Sequence, residues 1–169
     1  NILGPLSNPS KVSRQLVGVF SRKWVNPLAK VLENLGLESA WVVHGADGLD
    51  EMSTTGITYV AELKKGKIRT FEVTPEDALI QRSSLEDIRG GDAQFNAIAM
   101  KDMLSGKPSS FRDIVVLNAA ASLIVAGKAE DLKNGAIMAQ KAIDNGDAQK
   151  ILGNLIKITN REFTQKVGK

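Results

Sequence analysis

Asp50 and Glu51 are adjacent acids in the run Gly45-Ala46-Asp47-Gly48-Leu49-Asp50-Glu51, and they are the residues in this chain best suited to chemistry. Magnesium is a hard cation that keeps several waters and is commonly held by one or two carboxylates together with substrate phosphates. Neighbouring carboxylates in a glycine-flanked loop can present such a site. Taken alone, two neighbouring acids serve equally as solvated groups or as stabilisers of a helix N-terminus. A second candidate is the opening run Asn1-Ile2-Leu3-Gly4-Pro5-Leu6-Ser7-Asn8-Pro9. In this run Gly4 permits close approach of the backbone to a flat ligand and Pro5 stiffens what reads as a loop. The alternative there is a turn that merely joins two elements.

Other residues attract attention and carry less. Gly90-Gly91-Asp92 lacks a leading strand and the spacing of a phosphate-binding glycine loop, so it reads as an aspartate helix cap preceded by glycines. His44, the only histidine, ends a strand without an evident partner and reads as a packed structural residue. Asn118, within an apolar helix, reads as an internal hydrogen-bonding group. No Ser/His/Asp triad can be assembled, and no catalytic side chain is assigned.

The elements that must position these residues follow from periodicity. Arg14 to Phe20 reads as a strand, and Val25, Leu28, Val31, Leu32 and Leu35 recur at helical spacing before Gly36 as a C-cap. Trp41 to His44 is a near-continuous apolar strand, which favours a buried parallel position. Strand, helix and strand form one βαβ unit. The acidic loop follows the second strand directly, and in open α/β sheets ligands bind at the carboxyl ends of strands. Thr58–Leu63 and Lys67–Val73 alternate with period two around Lys64-Lys65-Gly66, an antiparallel hairpin. Thr74-Pro75-Glu76-Asp77 has the composition of a helix start. Helices are expected over 93–104, 111–126, 131–144 and 147–158, with Leu132, Ala136, Ala139 and Ile143 forming a core-facing stripe.

Length and composition bound the rest. With 169 residues, 43% hydrophobic and 24% charged, the chain suits one globular domain, 1–169, without linker or repeat. The absence of cysteine excludes disulfides and thiolate metal sites, and a single histidine excludes a multi-histidine zinc site. The net charge of +3 is too weak for a nucleic-acid footprint. The clusters at Lys64, Lys65 and Lys67 and at Arg161, Lys166 and Lys169 read as solvated surface. No stretch reaches the length of a membrane span.

Two motifs resemble one family. The run N-x-L-G-P-L-x-N-P from Asn1 to Pro9, and His44-Gly45-x-Asp47-Gly48-Leu49-Asp50-Glu51, are similar to signatures of the anthranilate phosphoribosyltransferases. Leu85 to Ala93 and Asn118 to Ala121 are also family-like, so the resemblance runs from Asn1 to about Asn160. It implies an α/β fold with a mixed central sheet flanked by helices. This would be the later part of a nucleoside phosphorylase/phosphoribosyltransferase catalytic domain, with a helical domain and the phosphate loop lying upstream of Asn1. The implied reaction transfers a phosphoribosyl group from phosphoribosyl pyrophosphate to anthranilate in tryptophan biosynthesis, in the cytoplasm. Asp50 and Glu51 would hold Mg2+, and Gly4 and Pro5 would line the anthranilate site. The full-length enzyme is expected to be a homodimer, whereas this part alone is expected neither to dimerise nor to turn over. The alternatives are a pyrimidine nucleoside phosphorylase and a non-enzymatic nucleic-acid-binding relative of the fold.

Overall fold

In a computed structural model, residues 3–161 are described; Asn1, Ile2 and the basic tail positions Lys166 and Lys169 lie outside them. A sheet of four strands carries the fold: β1 (Arg14–Gly18), β2 (Ser39–Gly45), β3 (Thr58–Lys64) and β4 (Lys67–Val73), in the order β1-β2-β3-β4. β1 and β2 are parallel, and the β2–β3 and β3–β4 pairs are antiparallel. The sheet is therefore mixed, as expected. The six α-helices among the described residues are α1 (Leu3–Leu6), α2 (Val25–Asn34), α3 (Ala93–Leu104), α4 (Ser110–Val125), α5 (Leu132–Asp144) and α6 (Asp147–Thr159).

β2 explains why the core has two halves. Every residue from Ala40 to Gly45 is buried, and side chains alternate across a strand. Ala40 and Val42 face α2, packing with Val17, Leu28, Ala29, Leu32 and Leu63. Trp41 and Val43 face the other way, joining Val60 and Met52 with Val116, Leu117 and Ala120 of α4 and Ala136 of α5. The stripe expected on α5 is realised: Leu132, Ala136, Ala139 and Ile143 are all buried. Helices α4 and α5 approach closely at Gly135, where an added Cβ would lie 2.9 Å from the Ala120 backbone.

One polar rung crosses the sheet. Trp41, Glu62 and Arg69 are direct register partners on β2, β3 and β4. The Trp41 indole N–H donates to Glu62 Oε1 at 3.0 Å, and the Arg69 guanidinium donates to Glu62 Oε2. Burial opposes ionisation of Glu62, but these two donors and the nearby cationic charge hold its carboxyl below the usual glutamate range.

Turn chemistry matches the reading in most places. Lys65 and Gly66 both have positive φ, 52° and 68°, as a two-residue hairpin turn of the favoured twist requires. Thr74 and Asp77 form a reciprocal capping box around a single 3-10 turn, Pro75–Ala78. Asp92 caps α3 by accepting from the Phe95 N–H at 2.8 Å. β1 stops at Gly18, short of the expected Phe20, because Ser21 leads into a 3-10 turn over Arg22–Trp24. The opening segment departs further: Gly4 and Pro5 lie in the helical turn α1, not in a loop. Proline is tolerated in a first helical turn because its missing N–H has no partner to lose there. Among the described residues no helix is long and apolar enough to cross a membrane.

Candidate functional site

The acidic loop leaves the carboxyl end of β2 and is held from three sides. Its own hydrogen bonds fold it first: the Gly45 N–H donates to Leu49 O at 2.8 Å and the Gly48 N–H to Gly45 O at 2.9 Å. Asp47 then acts as an internal hub. Its Oδ1 accepts from the Leu49 N–H at 3.0 Å, and its Oδ2 accepts from the hydroxyls of Ser53 and of Thr55, the latter at 2.6 Å. Burial alone would raise the Asp47 pKa, but those donors outweigh it and keep the carboxyl below the ordinary aspartate range. Asp47 is thereby committed to structure.

The second anchor is β1. A Cβ on Gly18 would lie 1.4 Å from the Asp50 carbonyl oxygen, so the loop backbone occupies the space a side chain would take. The third anchor is α4. Asn118 Oδ1 accepts from the Met52 N–H at 2.9 Å, while its Nδ2 donates to Met52 O at 3.0 Å and to Ile114 O at 2.9 Å. Beyond Glu51 the chain dives inward: Met52, Ser53 and Thr54 are buried, and the Thr54 hydroxyl meets that of Ser83 at 2.7 Å.

Asp50 and Glu51 are left exposed on the rim of this anchored loop. Glu51 lines a 480 Å3 hollow with Leu49, Leu85, Arg89, Phe111 and Ile114 among its walls. Partial loss of solvent beside the hollow raises the Glu51 pKa, and the negative charges of Asp50 and then Asp47 add to it. Ionised together, these carboxylates repel one another, and a divalent cation relieves that repulsion. Among the described residues no group of three or more His, Asp and Glu side chains gathers as a metal cage. The donor set is thus a pair of hard oxygen ligands on an exposed rim. It fits a magnesium ion whose remaining coordination would come from water and phosphate oxygens.

Gly4 and Pro5 are not brought to this pair. Pro5 lines a separate 300 Å3 hollow with Leu6, Gln15, Leu32 and Leu37, and its carbonyl accepts from Gln15 Nε2 at 3.1 Å. Gln15 lies at the start of β1 and Gly18, beside Asp50, at its end, so the strand separates the two by about 10 Å. Gly4 is exposed, and an added Cβ there would meet nothing within 4 Å.

His44 takes the structural role read from its position: Nδ1 lies 2.8 Å from Val19 O. Asn118 does hydrogen-bond internally, as expected, to Ile114 of its own helix and to Met52 outside it. Gly18, Ser53 and Thr55 are the residues of the site that sequence reasoning misses. The run Ser53-Thr54-Thr55, placed just after an acidic loop, is the available signal for the last two.

Comparison with known proteins sets this geometry in context. Residues 1–149 match the family described as "Glycosyl transferase family, a/b domain". The chain is 60% identical over 159 residues to the anthranilate phosphoribosyltransferase of Rhodopseudomonas palustris strain BisB5, covering 94% of this chain and 47% of that protein. It is 58% identical over 160 residues to the enzyme of the same name from Bradyrhizobium diazoefficiens, covering 95% and 48%. The chain therefore spans about half the length of the curated relatives it matches. Among solved structures, the anthranilate phosphoribosyltransferase of Thermus thermophilus superposes with a TM-score of 0.83 at 36% identity, over 90% of this chain and 45% of that one. The Saccharomyces cerevisiae enzyme in complex with phosphoribosyl pyrophosphate and Mg gives 0.81 at 28% identity, over 92% and 45%. With its βαβ entry, mixed sheet and anchored acidic loop, the chain belongs to the glycosyl transferase family, a/b domain.

Proposed function

We propose that this chain, 1–169, forms the carboxyl-terminal part of the catalytic domain of an anthranilate phosphoribosyltransferase. That enzyme transfers the phosphoribosyl group of phosphoribosyl pyrophosphate to the amine of anthranilate, releasing pyrophosphate, in cytoplasmic tryptophan biosynthesis. The observation that carries this reading is the Asp50–Glu51 pair, exposed at the carboxyl end of β2 on a loop fixed by Asp47, Gly18 and Asn118. The relatives named above supply the reaction and favour it over a pyrimidine nucleoside phosphorylase or a nucleic-acid-binding protein.

The chemistry asks little of protein nucleophiles. C1 of the ribose loses an anionic leaving group while its own charge becomes oxocarbenium-like, so stabilising the departing charge and orienting the amine are the main tasks. Magnesium, when bound, neutralises the pyrophosphate oxygens as they take up charge. Asp50 and Glu51 would supply its protein ligands, and the loop that carries them is anchored by Asp47, Gly18 and Asn118. Gly4 and Pro5 are assigned to the anthranilate site on their motif, since the geometry sets Pro5 in a hollow of its own. The partners are anthranilate and phosphoribosyl pyrophosphate, with no nucleic acid and no membrane, and the complete enzyme is a homodimer.

The deciding experiment is the double substitution Asp50→Asn with Glu51→Gln in the complete enzyme. Loss of magnesium-dependent turnover is expected; an unaltered response to magnesium would refute the metal role. Gly4→Ala should raise KM for anthranilate and leave the magnesium requirement alone, and an unchanged KM would remove Gly4 from that site.

A further inference from the structure

We propose that Asn118 is a positioning residue for the Asp50–Glu51 pair, setting the register of the metal-binding loop against α4; this rests on the magnesium reading of that pair. Met52 directly follows Glu51 and is fully buried, yet it belongs to no strand that would satisfy its backbone. Asn118 replaces the missing neighbour. Its amide accepts from the Met52 N–H and donates to the Met52 carbonyl at 2.9 and 3.0 Å, as an adjacent strand would. A slip of one residue would leave a buried donor and acceptor unpaired, which costs far more than a hydrogen bond gains.

The side chain making this pairing is itself held. Its Nδ2 also donates to the Ile114 carbonyl one turn earlier, at 2.9 Å. That turn contributes Ile114 and Val115 to the wall of the hollow bounded by Glu51. One helix therefore fixes both the cavity wall and the height of the carboxylate on its rim. The flanking residues Val116, Leu117 and Ala120 are buried in the core, so the helix cannot rotate to follow a displaced loop. On the other side the Asp50 carbonyl rests where a Gly18 side chain would be. The acid pair is thus caught between a backbone contact before it and an amide bracket behind it.

A bracket that only held the fold together would, when removed, lower stability and leave metal affinity alone. The test uses the complete enzyme and reads the Mg2+ concentration for half-maximal rate, the anthranilate KM and the melting temperature. Ser122→Ala is the control: it deletes a bond from a hydroxyl to the Asn118 carbonyl without touching Met52. Asn118→Ala is expected to raise the half-saturating Mg2+ by about tenfold or more, as loss of a group that orients a metal ligand does. The anthranilate KM should hold, and Ser122→Ala should leave the Mg2+ response unchanged. Should Asn118→Ala fail to fold, Asn118→Asp decides: it keeps an acceptor for the Met52 N–H, loses both donations, and should shift the Mg2+ response in the same direction. A lower melting temperature with wild-type Mg2+ half-saturation would overturn the proposal while the metal reading stands. Asp50→Asn with Glu51→Gln separates the two: if that variant keeps its Mg2+ response, the metal reading falls first and the proposal with it.

Discussion

Replacing Gly18 with alanine tests whether the loop backbone, rather than its side chains alone, fixes the site. An alanine Cβ would lie 1.4 Å from the Asp50 carbonyl oxygen, against a floor of 3.0 Å for real contacts. Something must therefore move by about 1.6 Å, and the question is which partner yields. β1 is tied to β2 along its length, and the Val19 N–H beyond Gly18 still donates to Val43 O at 2.9 Å. The loop, exposed at Asp50, is the softer side. A misplacement of about 1 Å at a site that positions reactants costs about 100-fold in rate, so under the proposed function kcat/KM of the complete enzyme should fall by about that factor. The effect on stability is much smaller: relief of an overpacked contact costs about 1–3 kcal/mol, and alanine recovers about 0.5–1 kcal/mol of backbone entropy relative to glycine. Steady-state rates across a magnesium titration, with urea unfolding of the same variant, separate the two. A variant with wild-type kcat and magnesium response would show that the Asp50 backbone is free to move without consequence, and β1 would no longer count as an anchor of the site.

Three further outcomes follow from the same structure. Glu62 has its carboxyl held below the usual value of 4.5, so its stabilising contribution is complete above that pH and is lost as pH falls through the depressed value. Urea unfolding near neutrality and in acid should show wild type losing stability through this group, with Glu62→Gln losing less; equal acid sensitivity would contradict the assignment. Asp47→Asn weakens the acceptor shared by the Ser53 and Thr55 hydroxyls and should cost about 1–3 kcal/mol, together with faster hydrogen exchange across residues 47–55; unchanged exchange would argue against the hub. Leu117→Ala empties a core position that is 1% exposed and should cost about 2–5 kcal/mol, read by chemical denaturation; a loss below about 1 kcal/mol would mean the half of the core beneath α4 and α5 is more plastic than close packing allows.

The legibility of the sequence follows the range of the interactions. Helices α3 to α6 and the hairpin can be read because their signals are local: Asp92 before α3, Asn145-Gly146 between α5 and α6, and alternation on either side of Lys65-Gly66. The acid pair is legible for the same reason, since it sits immediately past an apolar strand. What escapes is nonlocal or locally ambiguous. Gly18 looks like any glycine ending a strand, and nothing in its neighbours announces a backbone far along the chain at Asp50. Asn118 reads as an internal hydrogen-bonding group, but its partner Met52 lies 66 positions distant. The opening Gly4-Pro5 signal reads as a loop although it forms a helical turn, because a proline that disrupts a helix interior is harmless in its first turn. Its separation from the Glu51 hollow depends on which end of β1 it meets, and no local pattern encodes that.

β2 is flanked by hydrogen-bonded neighbours on both edges and covered on both faces, while no residue of α6 is buried. Amide exchange in such a central strand waits for global opening, whereas a peripheral helix unravels far more cheaply. The acidic loop grows from that central strand. Fraying at the carboxyl-terminal periphery and loss of the carboxylate arrangement are therefore separate events on the unfolding path. Mild denaturant should strip the first away while protection of the β2 amides persists.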